Sequence, residues 1–150
     1  LLSRRQRQMC IRDRMTTALC LAAKRGVDIK IVTPGIPDKK LVFLLTQSYY
    51  KQLVEAGIHI YEYTPGFIHA KCFASDDKVA TVGTINMDYR SLYLHFENGV
   101  FMYKNDAVMQ LKHDMEKTFE ISQRITKEMC QGNLRKTLTQ SVLRLLAPLL

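Results

Sequence analysis

The chain has 150 residues, of which 47% are hydrophobic and 24% are charged, values ordinary for one globular domain with a real core. No apolar run approaches the roughly 18 residues of a membrane-spanning helix, and no signal peptide is visible. The cysteines are far apart and form no Cys-x-x-Cys pair, which predicts free thiols in a reducing compartment rather than a zinc site or a disulfide framework. They are Cys10, Cys20, Cys72 and Cys130.

The net charge of +8 is concentrated at the two ends of the chain. Residues 1–14 and residues 123–150 each carry a net charge of +4, whereas residues 15–122 hold twelve basic and twelve acidic side chains. A basic end can bind an anionic membrane surface or a nucleic-acid backbone. A solvated charged tail is an equally good interpretation of either end alone.

Residues 1–14, LLSRRQRQMCIRDR, have no apolar period and no clear turn or cap. The string QMCIRDR resembles a translated sequencing-adapter read, so we predict that this segment is a non-native artefact and that the true chain extends further toward the N-terminus. We predict a catalytic domain over residues 15–125 and a basic amphipathic tail over residues 126–150.

The first predicted helix, TTALCLAAKRG, has Thr16 or Thr17 as its cap and Gly26 as its stop. The stretch VDIKIVTPG alternates apolar and polar residues and ends in a Pro-Gly turn, which predicts a strand. A second predicted helix begins at Asp38 and ends at Gly57. A strand, IHIYEY, follows it.

The stretches IHAKCFAS and KVATVGT predict a hairpin across Asp76 and Asp77, followed by a strand in FENGVFMYK. NDAVMQLKHDMEKTFEISQRI predicts a long helix capped by Asn105. Helices that alternate with strands predict an α/β fold, and the consecutive strands of the hairpin predict that its helix-flanked sheet is mixed. The tail predicts an amphipathic helix with one apolar face, formed by Leu134, Leu138, Val142, Leu145 and Leu146.

The stretch around residue 69 carries the residues that indicate chemistry. In a strand, residues two apart share a face, so His69 and Lys71 would lie on one side. An imidazole beside a fixed cation suits an anionic phosphoryl group, and Gly83 and Asn86 can add close backbone approach and an amide donor. A histidine beside a lysine is more often surface decoration, the interpretation we favour for the other three: His59, His95 and His113.

The spacing His-x-Lys-x4-Asp-x6-Gly-Thr-x-Asn runs without a gap through His69, Lys71, Asp76, Gly83, Thr84 and Asn86. It resembles the HKD motif of the phospholipase D superfamily. The continuation NMDYRSLYLHFE is similar to the second HKD motif of bacterial cardiolipin synthases. The resemblance covers about residues 16–150.

The resemblance implies a phospholipase D-like fold and catalytic residues His69, Lys71, Asp76, Asn86 and Glu97, with a phosphate site of Lys71, Thr84 and Asn86. By the same resemblance, one motif histidine would form a phosphohistidine and its counterpart would act as general acid. Glu97 would orient the histidine, and the motif aspartate would be mainly structural. No cofactor and no metal are implied.

The implied reaction is phosphatidyl transfer between two phosphatidylglycerols, giving cardiolipin and glycerol, at the cytoplasmic face of a bacterial cell membrane. The implied partners are phosphatidylglycerol, the membrane surface and an N-terminal HKD half, with no nucleic acid. This chain has one His-x-Lys pair, so we expect a C-terminal catalytic half, inactive alone, that lacks the membrane anchors of the full-length enzyme. Two alternatives stay open: a single-HKD phosphodiesterase or nuclease working as a homodimer, against which the neutral body argues, and an inactive lipid-binding half.

Overall fold

The computed structural model describes residues 15–131 and 134–146, so the prediction for residues 1–14 lies outside the described residues. Residues 15–24 form helix α1. The other elements in chain order are β1 (Lys30–Pro34), α2 (Lys40–Glu55), β2 (His59–Tyr63), β3 (Cys72–Ser75), β4 (Val79–Gly83), α3 (Tyr89–Tyr93), β5 (Gly99–Tyr103), α4 (Asp106–Glu120), β6 (Gln123–Arg124) and α5 (Leu134–Leu146).

Within the described residues the strands form two three-stranded sheets. Sheet A has the order β1-β2-β6, with β1 and β2 parallel and β6 antiparallel to β2. Sheet B is an antiparallel meander, β3-β4-β5. The predicted mixed α/β class is confirmed. The predicted single sheet is wrong, because the hairpin strands pair with β5 and not with β2, and the strand that makes sheet A mixed is β6.

The predicted helix ends at Gly26, Gly57 and Asn105 are confirmed, whereas the cap predicted at Thr16 or Thr17 is wrong, because residue 15 is already helical. Gly26 and Gly57, with φ of 94° and 97°, follow α1 and α2, and their positive φ is a conformation that glycine adopts without strain. The side chain of Asn105 caps α4 by accepting the N–H of Val108 at 3.1 Å. The predicted start of α2 at Asp38 is wrong, because Lys39 holds the cap position and makes no side-chain cap bond.

Two other boundaries differ from prediction. The strand β3 begins at Cys72, so His69 and Lys71 lie in the irregular segment before it. The helix α4 ends at Glu120, because the next residues turn back to pair β6 with β2 in the register Tyr61↔Arg124. The ring of Tyr61 also contacts Phe119 with 5.0 Å between centroids, which holds the end of α4 on sheet A.

The core of the protein lies on sheet A. Ile58 and Ile60 of the β2 region are 1% exposed and pack with Tyr50 and Ile125. The Tyr50 hydroxyl hydrogen-bonds with Thr33 at 2.6 Å, and burial raises the pKa of Tyr50 above its ordinary value. The surrounding apolar contacts come from α1, β1, α2 and the segment after β6: Leu19, Cys20, Ala23, Ile29, Ile31, Leu53, Val54 and Cys130.

The helix α4 connects the two sheets, since it contacts β2 and all three strands of sheet B. It packs on one face of sheet B at Ala80, which is buried, as is Val108 of α4 itself, whereas Val82 and Val100 at the other end of that face are exposed. At the end of sheet B, the hairpin turn has φ of 53° at Asp76 and 56° at Asp77. Two consecutive residues with positive φ make the tight turn whose twist matches a hairpin, and aspartate tolerates it better than most residues.

The helix predicted in the tail is confirmed as α5, which contacts α2. Leu143 is buried, while Leu138 and Val142 are exposed. The side chains of the other three predicted apolar-face residues, Leu134, Leu145 and Leu146, lie outside those described. Across residues 15–131 and 134–146, no helix is long and apolar enough to cross a bilayer. Among the described residues Cys20, Cys72 and Cys130 are not joined in a disulfide, and Cys10 lies outside them.

Candidate active site

His69 lies in the irregular segment between β2 and β3, with its side chain exposed. Its ring stacks on Phe67, with 5.9 Å between centroids and 14° between planes. Stacked rings two residues apart show that alternate side chains share a side here, although the segment is not a strand. No described residue hydrogen-bonds the imidazole, so both ring nitrogens are accessible to a ligand.

Lys71 joins His69 to sheet B. The carbonyl of Lys71 accepts the N–H of Gly83 at 3.0 Å, which extends the β3–β4 ladder by one residue. Its ammonium donates to the carbonyl of His69 at 2.8 Å. The structure therefore brings the cation and the imidazole-bearing residue together, as the sequence predicts.

The end of β4 and the start of β5 meet at a close backbone crossing. A Cβ at Gly83 would lie 2.3 Å from the carbonyl oxygen of Asn98, so a side chain there would displace the backbone. Directly after this crossing, the N–H of Thr84 donates to the same carbonyl at 2.8 Å, and the N–H of Asn98 donates to the Thr84 hydroxyl at 3.0 Å. The motif glycine is thus required for the contact that brings Thr84 beside residues 97–98.

Glu97 is anchored by that contact, because the hydroxyl of Thr84 donates to its carboxylate. Hydrogen bonds from Thr84 and then from Ser91 lower the pKa of Glu97, and electrostatic interactions with His95 and Lys71 lower it further. Glu97 therefore stays ionised and lies within the field of Lys71. The predicted contact between Glu97 and His69 is not among the described hydrogen bonds, and the orienting role stays a prediction.

Asn86 is held by a residue that the sequence analysis missed. Its amide donates to the hydroxyl of Ser91 at 3.3 Å, and Ser91 is 6% exposed. The N–H of Ser91 donates to Asp88 at 2.7 Å, an Asp-x-x-Ser contact at the start of α3. That pattern is the available signal, since a short acidic side chain three residues before a backbone donor is typical of a helix cap. Ser91 thus links Asn86 to Glu97.

Asp76 is not brought together with the other predicted residues. It lies at the hairpin turn, exposed, where its carboxylate accepts from Ser75 at 3.2 Å. Five residues of extended chain separate it from Lys71, roughly 16 Å at 3.3 Å per residue. Its neighbour Asp77 forms an ion pair with Lys112 of α4 at 2.6 Å. This position suits the structural role that the family resemblance implies for Asp76.

The face of sheet B opposite α4 also bears Lys71. The register aligns Phe73, Thr81 and Phe101, and alternation adds Lys71 and Tyr103 to the same face. We call these five residues the motif face. Phe101 is 67% exposed, and Phe73 and Tyr103 are also exposed. The residue carrying the motif cation therefore lies beside an open aromatic surface.

A pocket of about 530 Å³ lies elsewhere, between α2, α5 and the segment after β6. Its lining includes Tyr50, Glu62 and Arg144 and none of the motif residues. The described lining of this pocket is partly polar and partly apolar and includes no histidine. The chemistry indicated by the sequence therefore belongs to the open surface near His69. Among the described residues no group of three His, Cys, Asp or Glu side chains is placed to hold a metal ion.

The α/β fold and the HKD spacing together define a phospholipase D-like domain. The family model described as "Cardiolipin synthase, PLD-like domain" matches residues 7–120, more than half of the chain. The chain belongs to this family. The match begins inside the segment 1–14, whose non-native origin stays a prediction.

Individual relatives agree with the family. The chain is 43% identical over 135 residues to a cardiolipin synthase of Geobacillus kaustophilus, which covers 89% of this chain and 27% of the relative. It is 39% identical over 139 residues to cardiolipin synthase 2 of Bacillus anthracis, with 92% and 27% covered. An uncharacterized protein of Streptococcus mutans is 51% identical over 137 residues, with 91% and 30% covered. The chain thus spans less than a third of the length of these relatives.

Proposed function

We propose that this chain is the C-terminal catalytic half, with the second HKD motif, of a cardiolipin synthase that transfers a phosphatidyl group from one phosphatidylglycerol to another. The observation that carries the proposal is the ungapped motif from His69 to Asn86, which lies within the stretch that the family model matches. The products are cardiolipin and glycerol. A second HKD motif, from another lobe, completes the site.

The reaction proceeds in two displacements through a phosphohistidine. An imidazole nitrogen attacks phosphorus and the bond to the glycerol headgroup breaks, while the second imidazole protonates the departing glycerol oxygen. The free hydroxyl of another phosphatidylglycerol then attacks the phosphohistidine, giving its proton to the second imidazole as the P–N bond breaks. Two displacements replace one difficult step by two easier ones. His69 fills one of the two imidazole roles.

The neighbours of His69 support this chemistry. Lys71 supplies a positive charge that is bonded to the backbone of His69, where it offsets charge on the phosphate oxygens. Asn86 provides a neutral donor for the phosphate through the second N–H of its amide, whereas the hydroxyl hydrogen of Thr84 is donated to Glu97. Glu97, ionised and linked to Thr84, is the positioning residue that fixes the imidazole tautomer once the site is closed by its other half.

The motif face supports the need for a second lobe. Exposed aromatic side chains beside a catalytic residue are typical of a surface that packs against another protein element. The second lobe is either the N-terminal half of a longer chain or, in the homodimeric alternative, a second copy of this one. The neutral charge of residues 15–122 argues against the nuclease version of the homodimer, because nucleic-acid sites are basic.

The test is conversion of phosphatidylglycerol to cardiolipin by this chain co-purified with the N-terminal HKD half of a relative. We expect activity from the pair and none from this chain alone. His69→Ala in the pair should lower turnover by at least about 10³-fold, since a missing nucleophile or acid leaves no substitute. His113→Ala, which removes an exposed histidine of α4, is the matched control and should have full activity.

Three results separate the alternatives. Cardiolipin made by this chain alone would favour the homodimer. Full turnover by the His69→Ala pair would remove His69 from the mechanism. A folded pair that binds lipid but makes no cardiolipin would leave the inactive lipid-binding half as the better account.

A further inference from the structure

The helix α5 packs onto α2 through polar side chains. The guanidinium of Arg144 donates to the carbonyl of Ser48, and its Nε donates to the Ser48 hydroxyl at 2.9 Å. The same guanidinium lies 4.6 Å from the ring centroid of Tyr49. One turn earlier, the amide of Gln140 donates to the carbonyl of Leu44 at 3.4 Å. Of the apolar residues with described side chains in α5, Leu143 is buried.

The apolar side of α5 points the other way. At 3.6 residues per turn, Leu138 and Val142 lie about one turn apart on a single stripe, and each is about 160° around the helix from Gln140. Leu138 is 69% exposed and Val142 is 51% exposed. A helix on the surface of a globular protein normally turns its apolar stripe inward and its polar side to water. Leu138 and Val142 of α5 instead face outward, so this stripe is available to something other than this domain.

The charges around α5 indicate what that occupant is. The sequence of α5 contains Arg135, Lys136 and Arg144 and no acidic residue. Gln140 contacts Leu44 and Arg144 contacts Ser48, so the residue numbers rise in the same direction along both helices. The two helices therefore run parallel and begin at the same end. The exposed residues Lys39 and Lys40 at the start of α2 add basic charge at that end. An apolar stripe on a helix of basic sequence, with Lys39 and Lys40 exposed near its start, complements an anionic lipid surface.

We infer that α5 lies in the interface of an anionic phospholipid bilayer, with Leu138 and Val142 inserted among the acyl chains. The inference deepens the proposed function and rests on it for its purpose, because phosphatidylglycerol is both the substrate and an anionic component of such a surface. The contact holds the domain by its α2–α5 side on the membrane that contains its substrate.

A second copy of this chain is a poorer occupant. Two copies that met through this stripe would bring together two α5 helices whose sequences are basic and contain no acidic residue. Like charges placed across a protein interface oppose association. An anionic bilayer attracts the same charges.

The test compares binding of the purified chain to vesicles of phosphatidylglycerol and phosphatidylcholine, measured by sedimentation. Val142→Asp should lower the partition coefficient at least about fivefold, because a charge replaces an inserted apolar group. Val27→Asp is the matched control, since Val27 is 49% exposed in the loop after α1 and should bind like the unmodified chain. Raising the salt concentration should weaken binding, and pure phosphatidylcholine should bind poorly.

Each contrary result is informative. Equal binding by Val142→Asp and the unmodified chain, or no binding to the anionic vesicles, would overturn the inference. A Val142→Asp change confined to the oligomeric state, seen by size-exclusion chromatography, would assign the stripe to a second copy instead. Turnover of detergent-dispersed phosphatidylglycerol by the assembled enzyme should be unaffected by Val142→Asp, which separates a failure of membrane docking from a failure of the proposed reaction.

Discussion

The two sheets of this protein differ in how completely they are covered. Sheet A is covered by α1 and α2, and the side chains around Ile60 are almost fully excluded from water. Sheet B is covered by α4 over only part of one face, around Ala80, and its motif face presents Phe73, Phe101 and Tyr103 to solvent. The sheet that stabilises the domain is thus distinct from the sheet that carries the motif.

Apolar side chains therefore contribute differently to the stability of this domain in sheet A and on the motif face. An apolar side chain in sheet A stabilises the fold because folding removes it from water, about 25 cal/mol for each Å² of apolar surface. An equally apolar side chain on the motif face gains little from folding of this domain alone. Its burial, on our proposal, comes when the second lobe packs against it. Substitutions in the sheet A core should therefore lower the stability of the domain, whereas substitutions on the motif face should weaken association with the second lobe.

The largest expected effect on folding comes from the sheet A core. Ile60→Ala should lower the free energy of unfolding by about 2–5 kcal/mol, because it removes buried methylene groups and leaves a cavity. Phe101→Ala on the motif face removes a larger side chain and should change that free energy by less than about 0.5 kcal/mol. Urea denaturation followed by circular dichroism measures both.

Association with the N-terminal half should rank the effects of the same two variants in the opposite order. Phe101→Ala should weaken association with the N-terminal half, whereas Ile60→Ala should act on stability first. If Phe101→Ala destabilises the isolated domain as much as Ile60→Ala does, the motif face belongs to the core of this domain and the contrast between the sheets is wrong.

Local patterns in the sequence predicted the elements better than their pairing. Turn and cap chemistry is short-range, so Gly26, Gly57, the Asp76–Asp77 turn and the Asn105 cap all appear as predicted. The separation into two sheets depends on which strands meet after folding, and alternation along a strand carries no information on that. The two-residue strand β6 lies within the stretch predicted as helix, because two polar residues, Gln123 and Arg124, carry no period that separates a strand from a helix.

The residues of the candidate site were predictable where the spacing of the motif in the sequence identifies them. The motif spacing identifies His69, Lys71 and Thr84, and the sheet register then brings the last two close to Glu97. The sequence analysis missed Ser91, because a serine in a short helix has no periodicity that marks it as buried. It also missed the outward orientation of the exposed stripe of α5, since amphipathicity defines two faces of a helix but not which face meets the protein.

The next prediction concerns charge at the motif. Lys71→Met should lower kcat by about 10²–10³-fold, the range for loss of one group that stabilises a developing anion. Lys71→Arg should restore part of this loss, because a planar guanidinium carries the charge but places it differently from an ammonium. Both are measured in the assembled enzyme with phosphatidylglycerol as substrate.

The fold should tolerate the Lys71 variants, which distinguishes this site from the sheet A core. Lys71 contributes a backbone carbonyl to the ladder, and that carbonyl is present in every variant. The midpoint of urea denaturation should therefore be close to that of the unmodified chain. Equal turnover by Met, Arg and Lys at this position would show that residue 71 is a surface residue without a role in catalysis.

The smallest expected effect concerns the contact between Thr84 and Glu97. The Thr84 hydroxyl is the largest cause of the lowered pKa of Glu97, so Thr84→Val should raise that pKa toward its ordinary value of 4.5. A carboxyl whose pKa is lowered by folding stabilises the fold above its unfolded pKa, and that contribution is lost as the pH falls through the folded value. Part of the loss of stability below pH 4.5 therefore comes from Glu97, and Thr84→Val should make that part smaller.

An NMR titration of the Glu97 side chain measures the shift directly, with Thr64→Val, an exposed threonine outside the site, as the control. An unchanged Glu97 pKa in Thr84→Val, or an equal shift in Thr64→Val, would mean that the crossing of β4 and β5 does not set the charge state of Glu97.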